Sequence, residues 1–204
     1  MTAAEFRAAV AQPTEPGTCL HLDGLVVREP VDLDGRTIGS VDLSGAVFEA
    51  SVSFAGALFS GLSWFKGSRF AGHVRFDGAT FVNDARFDAA TFAGEAGFVD
   101  CQFHGMGVFD DATFAATADF SRAVAFGNLA LARADFSASA VFRETECLGG
   151  LWLDHANFRG RVEMTGAEVH GRAWLRDVRI AQNDAAVSAV ILAGTLTPFG
   201  YVWS

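Results

Sequence analysis

Large apolar residues recur along this chain at intervals of five and six residues, in strict alternation. From Leu43 to Phe120 every gap follows the order 5, 6, 5, 6, and the series continues towards the C-terminus with one break at Ala125. From Leu43 to Phe120 the residue two positions before each large one is small or β-branched, as Ala57 is before Phe59. Two positions apart on an extended backbone means the same face. Each short segment therefore points one small and one large residue inward and then turns.

Helices and long-stranded sandwiches do not account for this spacing. Residues at intervals of five and six do not fall on one face of a helix with 3.6 residues per turn, and heptad repeats are absent. A sandwich would need longer runs of alternation than one inward pair per turn. The turns themselves are marked by Ser-Gly, Ala-Gly, Asp-Gly and Asn-Asp pairs, which favour tight reversals.

Four consecutive gaps sum to 22 residues, and with four segments per coil, which the family resemblance described below implies, a step of 22 aligns four ladders of stacked inward side chains. Each phenylalanine should lie over its equivalent one coil away, about 4.8 Å along the axis. Where Ala125 interrupts a ladder, we expect Val124 or Phe126 to compensate. The phenylalanines assigned to the ladders are Phe48, Phe70, Phe92, Phe114, Phe136, Phe158, Phe54, Phe76, Phe98, Phe120, Phe142, Phe65, Phe87, Phe109, Phe59, Phe81 and Phe103.

The segments FDGATF (76–81), FDAATF (87–92) and FDDATF (109–114) resemble the pentapeptide-repeat family, whose usual unit is A-(D/N)-L-x-x. The resemblance covers roughly residues 20 to 180. It implies an all-β fold, a right-handed quadrilateral β-helix with about four segments per coil and short capping segments at both ends. Solenoids of this kind need capped ends, because open coils leave backbone groups unpaired.

The chain departs from the family pattern in two places. Every other side has six residues instead of five, which a β-bulge would accommodate. The N-terminal centres are one residue out of phase with the later ladders, and a deletion near residues 39 to 42 would explain this; these centres are Leu22, Val27, Leu33 and Ile38. Arg36 then falls at an inward position that a regular coil does not explain.

The repeat divides the chain into three segments. Residues 1–19 are predicted to form a capping helix and linker, 20–182 the β-helix, and 183–204 an apolar C-terminal cap or dimerisation segment. Thr2 and Glu5 have the spacing of a helix capping box,.

Three alternatives remain for the C-terminal segment: a cap on the last coil, a cap that also forms a two-fold dimer, and a membrane tail. The resemblance implies the dimer, since some family members pair through C-terminal modules. Gly194 and Pro198 interrupt the apolar run that a membrane-spanning tail would need,. No membrane contact is therefore expected. The candidate cap or dimer contacts are Val190, Ile191, Leu192, Leu196, Phe199 and Trp203.

Composition narrows the function. The formal net charge is −9, which argues against direct nucleic-acid binding. The N-terminus lacks the features of a signal peptide, and the cysteines form no CxxC pair, so a cytoplasmic location is expected. The histidines show no HxH or HExxH spacing, and Cys101 and Cys147 fall at inward positions. We therefore predict no catalytic site, no cofactor and no metal site.

Four carboxylates flank Phe87 and Phe109 on one predicted side of the column: Asp84, Asp88, Asp110 and Asp111. They form either a solvated acidic face that keeps the protein soluble or a candidate interaction face for a basic partner.

Two functions follow. The first is a non-catalytic protein-interaction scaffold with an unidentified protein partner, either monomeric or a C-terminal homodimer. The second is implied by the resemblance: an acidic mimic of duplex DNA that binds DNA gyrase or another topoisomerase and modulates it or protects it from inhibitors. A column of about 35 Å corresponds to duplex carrying about 20 negative charges, against −9 here. We therefore place the scaffold first.

Overall fold

The alternating spacing places strands of two or three residues on the four sides of a column. The computed structural model describes residues 1–12, 17–181 and 196–203. Within these residues the strands form four parallel sheets, which we name A, B, C and D in the order in which the chain visits them. The all-β, four-sided β-helix that the family resemblance implies is confirmed.

The sheets contain short strands that pair only with the coils before and after them. Sheet A comprises Leu20–His21, Val41–Asp42, Ser63–Trp64, Ala85–Arg86, Gly107–Val108, Asn128–Ala130, Gly150–Trp152, Arg172–Trp174 and Val202–Trp203. Sheet B comprises Val26–Val27, Val47–Phe48, Arg69–Phe70, Thr91–Phe92, Thr113–Phe114, Asp135–Phe136, Asn157–Phe158 and Arg179–Ile180. Sheet C comprises Val31–Asp32, Val52–Ser53, Val74–Arg75, Ala96–Gly97, Ala118–Asp119, Ala140–Val141 and Val162–Glu163. Sheet D comprises Thr37–Ile38, Leu58–Phe59, Thr80–Phe81, Gln102–Phe103, Val124–Ala125, Glu146–Cys147, Glu168–Val169 and Thr197–Pro198.

The pairing register is 22 residues through most of the column, as in Phe70 opposite Phe92. The first step is one residue shorter, because Val27 pairs with Phe48. The predicted deletion is therefore present, and it shortens the turn after Ile38. At the C-terminal end the step lengthens, since Val169 pairs with Pro198.

The core is a set of phenylalanine stacks. Every ladder phenylalanine is at most 2 % exposed, so these rings fill the interior of the column. Rings one coil apart are nearly parallel, as in Phe92 and Phe114, whose centroids lie 4.7 Å apart at an angle of 2°. Rings from the opposite sides A and C meet edge to face across the core, as in Phe98 and Phe109 at 5.1 Å. Both geometries are favoured by aromatic quadrupoles, and truncating one such ring to alanine should cost about 3–5 kcal/mol.

The core does not use Val124 or Phe126 to compensate for Ala125, contrary to our expectation. Ala125 is itself buried at the centre of its ladder, while Phe126 lies outside and is 49 % exposed. The space is filled from sheet A, where Leu129 and Leu151 are buried at inward positions. Those positions hold smaller residues in the earlier coils, so the large residue has moved to the neighbouring side.

The five-residue corners, A to B and C to D, are tight turns. In one of them the Ala90 N–H donates to the Phe87 carbonyl at 3.0 Å. Ala89 between them has a φ of 54°, a left-handed conformation that favours glycine. Glycine holds this position in the N-terminal coils, as Gly67 and Gly78 do.

The six-residue corners, B to C and D to A, hold the extra residue in the corner itself. The described strands on both sides of these corners pair in unbroken register, so the predicted β-bulge is not what accommodates it. The corners stack so closely that a Cβ on Gly127 would lie 2.5 Å from the Gly105 carbonyl oxygen. A side chain at Gly127 would therefore force the corner backbone to shift.

The helix α1, Ala3–Val10, covers the N-terminal end of the column. The Thr2 hydroxyl accepts from the Glu5 N–H at 3.2 Å, and the Glu5 carboxylate accepts from the Thr2 N–H at 2.8 Å. Phe6 is fully buried and meets Phe48 edge to face at 5.6 Å. The helix thus closes the phenylalanine core at this end.

Arg36 does not enter the core. It lies in the first coil and its side chain is exposed, so the nominally inward position there is not enclosed by a preceding coil. None of the helices in the described ranges has the length and apolar character needed to cross a bilayer.

Candidate interaction surface

All four tryptophans of the chain lie on the same outward ladder of sheet A. The middle residue of each segment points away from the core, because the residues on either side point inward. On sheet A this position begins with Trp64 opposite Arg86. Farther along the column it is held by Trp152, Trp174 and Trp203, which are direct register neighbours.

The three C-terminal tryptophans touch one another along the column, and we call them the tryptophan face: Trp152, Trp174 and Trp203. Trp152 meets Trp174 edge to face with ring centroids 6.5 Å apart. Trp174 stacks on Trp203 at 5.6 Å and 11°. Trp203 is 57 % exposed, so this aromatic cluster is open to a partner.

The D-to-A corner beside the tryptophan face is also apolar. Phe199 and Tyr201 lie there and are 61 % and 75 % exposed. Phe199 packs against the imidazole of His170 at 4.7 Å and 14°. Exposed aromatic residues grouped in this way indicate an interaction site.

A groove of about 480 Å³ runs between this corner and the tryptophan face. Its lining residues include Trp152, Trp174, Tyr201, Asn128 and Arg172. The Trp174 indole Nε1–H is buried and has no acceptor among the described residues. An aromatic groove with a few polar groups can bind an apolar segment that offers a hydrogen-bond acceptor.

The candidate acidic residues do not form one open carboxylate cluster. Asp84 lies at a D-to-A corner, where its carboxylate accepts from the Met106 N–H at 2.8 Å. Asp110 lies at an A-to-B corner, where its carboxylate accepts from the Ala132 N–H at 2.9 Å. Both therefore hold the next coil in place.

The other two candidates form ion pairs at the A-to-B corners. Asp88 receives two hydrogen bonds from Arg86, at 2.6 and 2.9 Å. Asp111 receives two from Arg133, both at 2.7 Å. These bonds lower the pKa of Asp111. For Asp88, burial acts to raise the pKa, but the bonds from Arg86 contribute to a net lowering.

Asp110 differs from its neighbours. Burial raises its pKa, and the nearby charges of Asp88 and Asp111 raise it further. Three of the four candidate carboxylates are thus close enough to interact, while Arg86 and Arg133 neutralise part of their charge.

Two of the three cysteines belong to the core. Cys101 and Cys147 are buried. Burial raises the pKa of the Cys101 thiol well above its usual value and that of Cys147 to about 12. Both thiols therefore stay protonated inside the core.

Of the candidate cap or dimer contacts, Val190, Ile191 and Leu192 lie outside the described residues. Leu196 is buried, whereas Phe199 and Trp203 are exposed. The exposed pair belongs to the aromatic surface around the tryptophan face.

Sequence reasoning missed the tryptophan face, although the sequence carries its signal. Trp152 and Trp174 are one 22-residue coil apart, and Trp64 precedes Trp152 by four such coils. The intervals of five and six residues join inward positions only. The 22-residue step, applied to the outward positions, aligns these tryptophans as well.

The comparison with known families agrees with this architecture. Residues 38–80, 65–109 and 76–124 match the family model described as pentapeptide repeats (9 copies). No curated protein shows a significant match to the chain.

Proposed function

The chain belongs to the pentapeptide-repeat family, and we propose that it is a non-catalytic scaffold that binds a protein partner through the tryptophan face. One observation carries this proposal: all four tryptophans lie on one outward ladder, and three of them are in contact at one end of it. Tryptophan is enriched among the residues that dominate binding energy in interfaces.

The surroundings support the same conclusion. The repeat needs inward phenylalanines and small corner residues for stability, but it does not need aromatic residues outside. Trp203 and Tyr201 are exposed at one end of a chain with a net charge of −9. Such residues have no role in closing the core, and a partner that covers them would bury apolar area.

The experiment captures partners by cross-linking. It compares those bound by the wild-type protein with those bound by a Trp152→Ser/Trp203→Ser variant under the same treatment. We expect enrichment of the specific partner to fall at least about tenfold, the effect of losing one interface hot spot. Trp64→Ser is the matched control, since it removes a tryptophan from the same ladder, four coils away. Equal capture by all three proteins would refute the tryptophan face as the binding surface.

The acidic-mimic function stays a second proposal, supported by the crowding of Asp88, Asp110 and Asp111 at neighbouring corners. Arg86 and Arg133 weaken it, because each neutralises one of these carboxylates. The test is inhibition of DNA gyrase supercoiling by the protein and by an Asp84/Asp88/Asp110/Asp111→Asn variant.

Asparagine is the suitable replacement in that variant, since its side-chain oxygen can still accept the backbone N–H groups that Asp84 and Asp110 bind. Inhibition that is lost in the variant would place DNA mimicry first. If neither protein inhibits gyrase, the scaffold function is the proposal that remains.

A further inference from the structure

Three ligand-type side chains converge on the outer surface of sheet D. Glu146 and Glu168 hold its outward position in successive coils and are direct register neighbours. His170 follows Glu168 by two residues and lies at the D-to-A corner. The repeat therefore brings together residues that are separated by 22 positions in the sequence and carry no recognisable metal motif.

The distances suit a metal ion. The His170 Nε2 lies 3.3 Å from the Glu146 Oε1 and 3.3 Å from the Glu168 Oε2. One ligand atom from each of the three residues lies within 4.8 Å of the other two. Two ligands each about 2.0–2.1 Å from a tetrahedral zinc ion are about 3.3–3.4 Å apart, so both His–Glu distances match without rearrangement.

The electrostatics also call for a cation. Like charges directly opposite on neighbouring strands destabilise a sheet, and Glu146 and Glu168 are such a pair. Among the described residues His170 is the only ion-pair partner of either carboxylate. Single carboxylates at the five-residue corners, such as Asp100 and Asp111, are instead neutralised by arginine from the next coil.

The imidazole is held in place by its neighbour. His170 stacks on Phe199, whose ring lies 4.7 Å away and nearly parallel. This contact fixes the ring plane with Nε2 towards the carboxylates, as the surroundings of metal-bound histidines usually do.

The same corner three coils earlier provides an internal comparison. Gln102 and His104 occupy the positions of Glu168 and His170, and the histidine ring again packs on an aromatic residue, Phe126. There the neighbouring side chain is a neutral amide, 3.3 Å from the imidazole. The carboxylates are therefore specific to the C-terminal coils and are not required by the repeat.

We propose that Glu146, Glu168 and His170 form a surface site for one divalent transition-metal ion of the zinc class, with a fourth position open to water. Imidazole and carboxylate ligands suit such ions. The site does not depend on the proposed scaffold function. A bound ion would tie two coils together beside the groove that His170 also lines.

The test is titration of tag-free protein with Zn²⁺ by calorimetry and with Co²⁺ by visible absorption. We expect one ion per chain, and a tetrahedral Co²⁺ spectrum. Glu168→Gln and His170→Ala should each weaken binding by at least about tenfold, since even loss of outer-shell partners costs 10–100-fold. His104→Ala is the matched control and should bind as the wild type does.

Absence of binding at millimolar Zn²⁺ would overturn the proposal. Binding that survives both variants would also overturn it, since the ion would then be held elsewhere, for example near His21, Asp23 and Asp42. Circular dichroism of each variant shows whether the exposed substitutions leave the column folded.

Discussion

The left-handed residue of the five-residue corners changes identity along the column. In the N-terminal coils it is glycine, and from Ala89 onwards most of these residues carry a side chain. A non-glycine residue in this conformation costs about 1–2 kcal/mol. Asp111 and Arg133 offset part of that cost by pairing with each other across one coil, but the methyl group of Ala89 cannot form such a pair.

We therefore expect Ala89→Gly to stabilise the protein. Relief of the backbone strain exceeds the extra conformational entropy that glycine loses, so the free energy of unfolding should rise by about 0.5–1 kcal/mol. The reverse change, Gly78→Ala, should lower it by about 1 kcal/mol, although a Cβ there meets nothing closer than 3.9 Å. Urea denaturation measures both, and a loss of stability in Ala89→Gly would contradict the strain argument.

The Asp111–Arg133 pair makes part of the stability depend on pH. Its hydrogen bonds lower the folded-state pKa of Asp111, so the contribution is present above the unfolded pKa of about 3.9 and is lost as pH falls through the folded pKa. Asp111→Asn should lower the free energy of unfolding by about 0.2–1 kcal/mol at neutral pH, since the pair is exposed. At about pH 2 the difference from wild type should shrink.

Asp110→Asn is the contrasting control for this pH measurement. Burial raises the pKa of Asp110, so its stabilising contribution is present at low pH and is lost as pH rises through the folded pKa. The amide oxygen of asparagine can still accept the Ala132 N–H. This variant should therefore lose no stability at neutral pH. Equal losses in the free energy of unfolding of the two variants would contradict the opposite pKa shifts of Asp110 and Asp111.

At the scale of a structural element, the six-residue corner at Gly127 has no room for a side chain. A Cβ on Gly127 would lie 2.5 Å from the Gly105 carbonyl oxygen, and its three nearest neighbours are all backbone atoms of the preceding coil. We expect Gly127→Ala to lower the free energy of unfolding by at least about 2 kcal/mol. Asn83→Ala, at the same corner two coils earlier, should change it by less than about 0.5 kcal/mol, and thermal melts of both variants test the difference.

The sides of the column were predictable because each depends on local spacing. The inward alternation and the short first coil followed from intervals between apolar residues, and the four ladders followed once the family resemblance supplied four segments per coil. The replacement for Ala125 did not follow, because Leu129 belongs to the next side and only the closed column brings the two sides together. The ion pair of Asp111 was likewise hidden, since Arg133 is 22 residues away.

At the scale of the whole molecule, an uncovered end of the column would present apolar core and unpaired backbone. Helix α1 covers the N-terminal end with Phe6, which is fully buried against Phe48. Deletion of residues 2–11 would expose this core and the backbone of the first coil. We expect the truncated protein to self-associate, as measured by size-exclusion chromatography with light scattering.

Glu5→Ala is the control for the truncation. It removes one half of the capping box but leaves Phe6 in place, so its molar mass in solution should match that of the wild type. A truncated protein with the wild-type molar mass would show that the helix is not needed to prevent association.

The candidate site was less predictable than the fold. The inward positions are fixed by the need to fill the core, whereas outward positions are free to vary and carry their signal only once the coil length is known. The acidic residues were visible in the sequence, but the arginines and backbone groups that engage them were not. The tryptophan face became apparent when Trp174 and Trp203 proved to be neighbours in spite of their 29-residue register step.

The 22-residue register also determines how the molecule would respond to a mechanical load. Each coil forms backbone hydrogen bonds only with the coils beside it. A force applied at the C-terminal end therefore acts first on the hydrogen bonds of the last coil. Releasing one coil frees about 75 Å of extended chain and exposes an identical edge for the next. The column would therefore lengthen under tension in a series of equal steps. A larger force would be needed at coils that stacked rings or charge pairs hold more strongly.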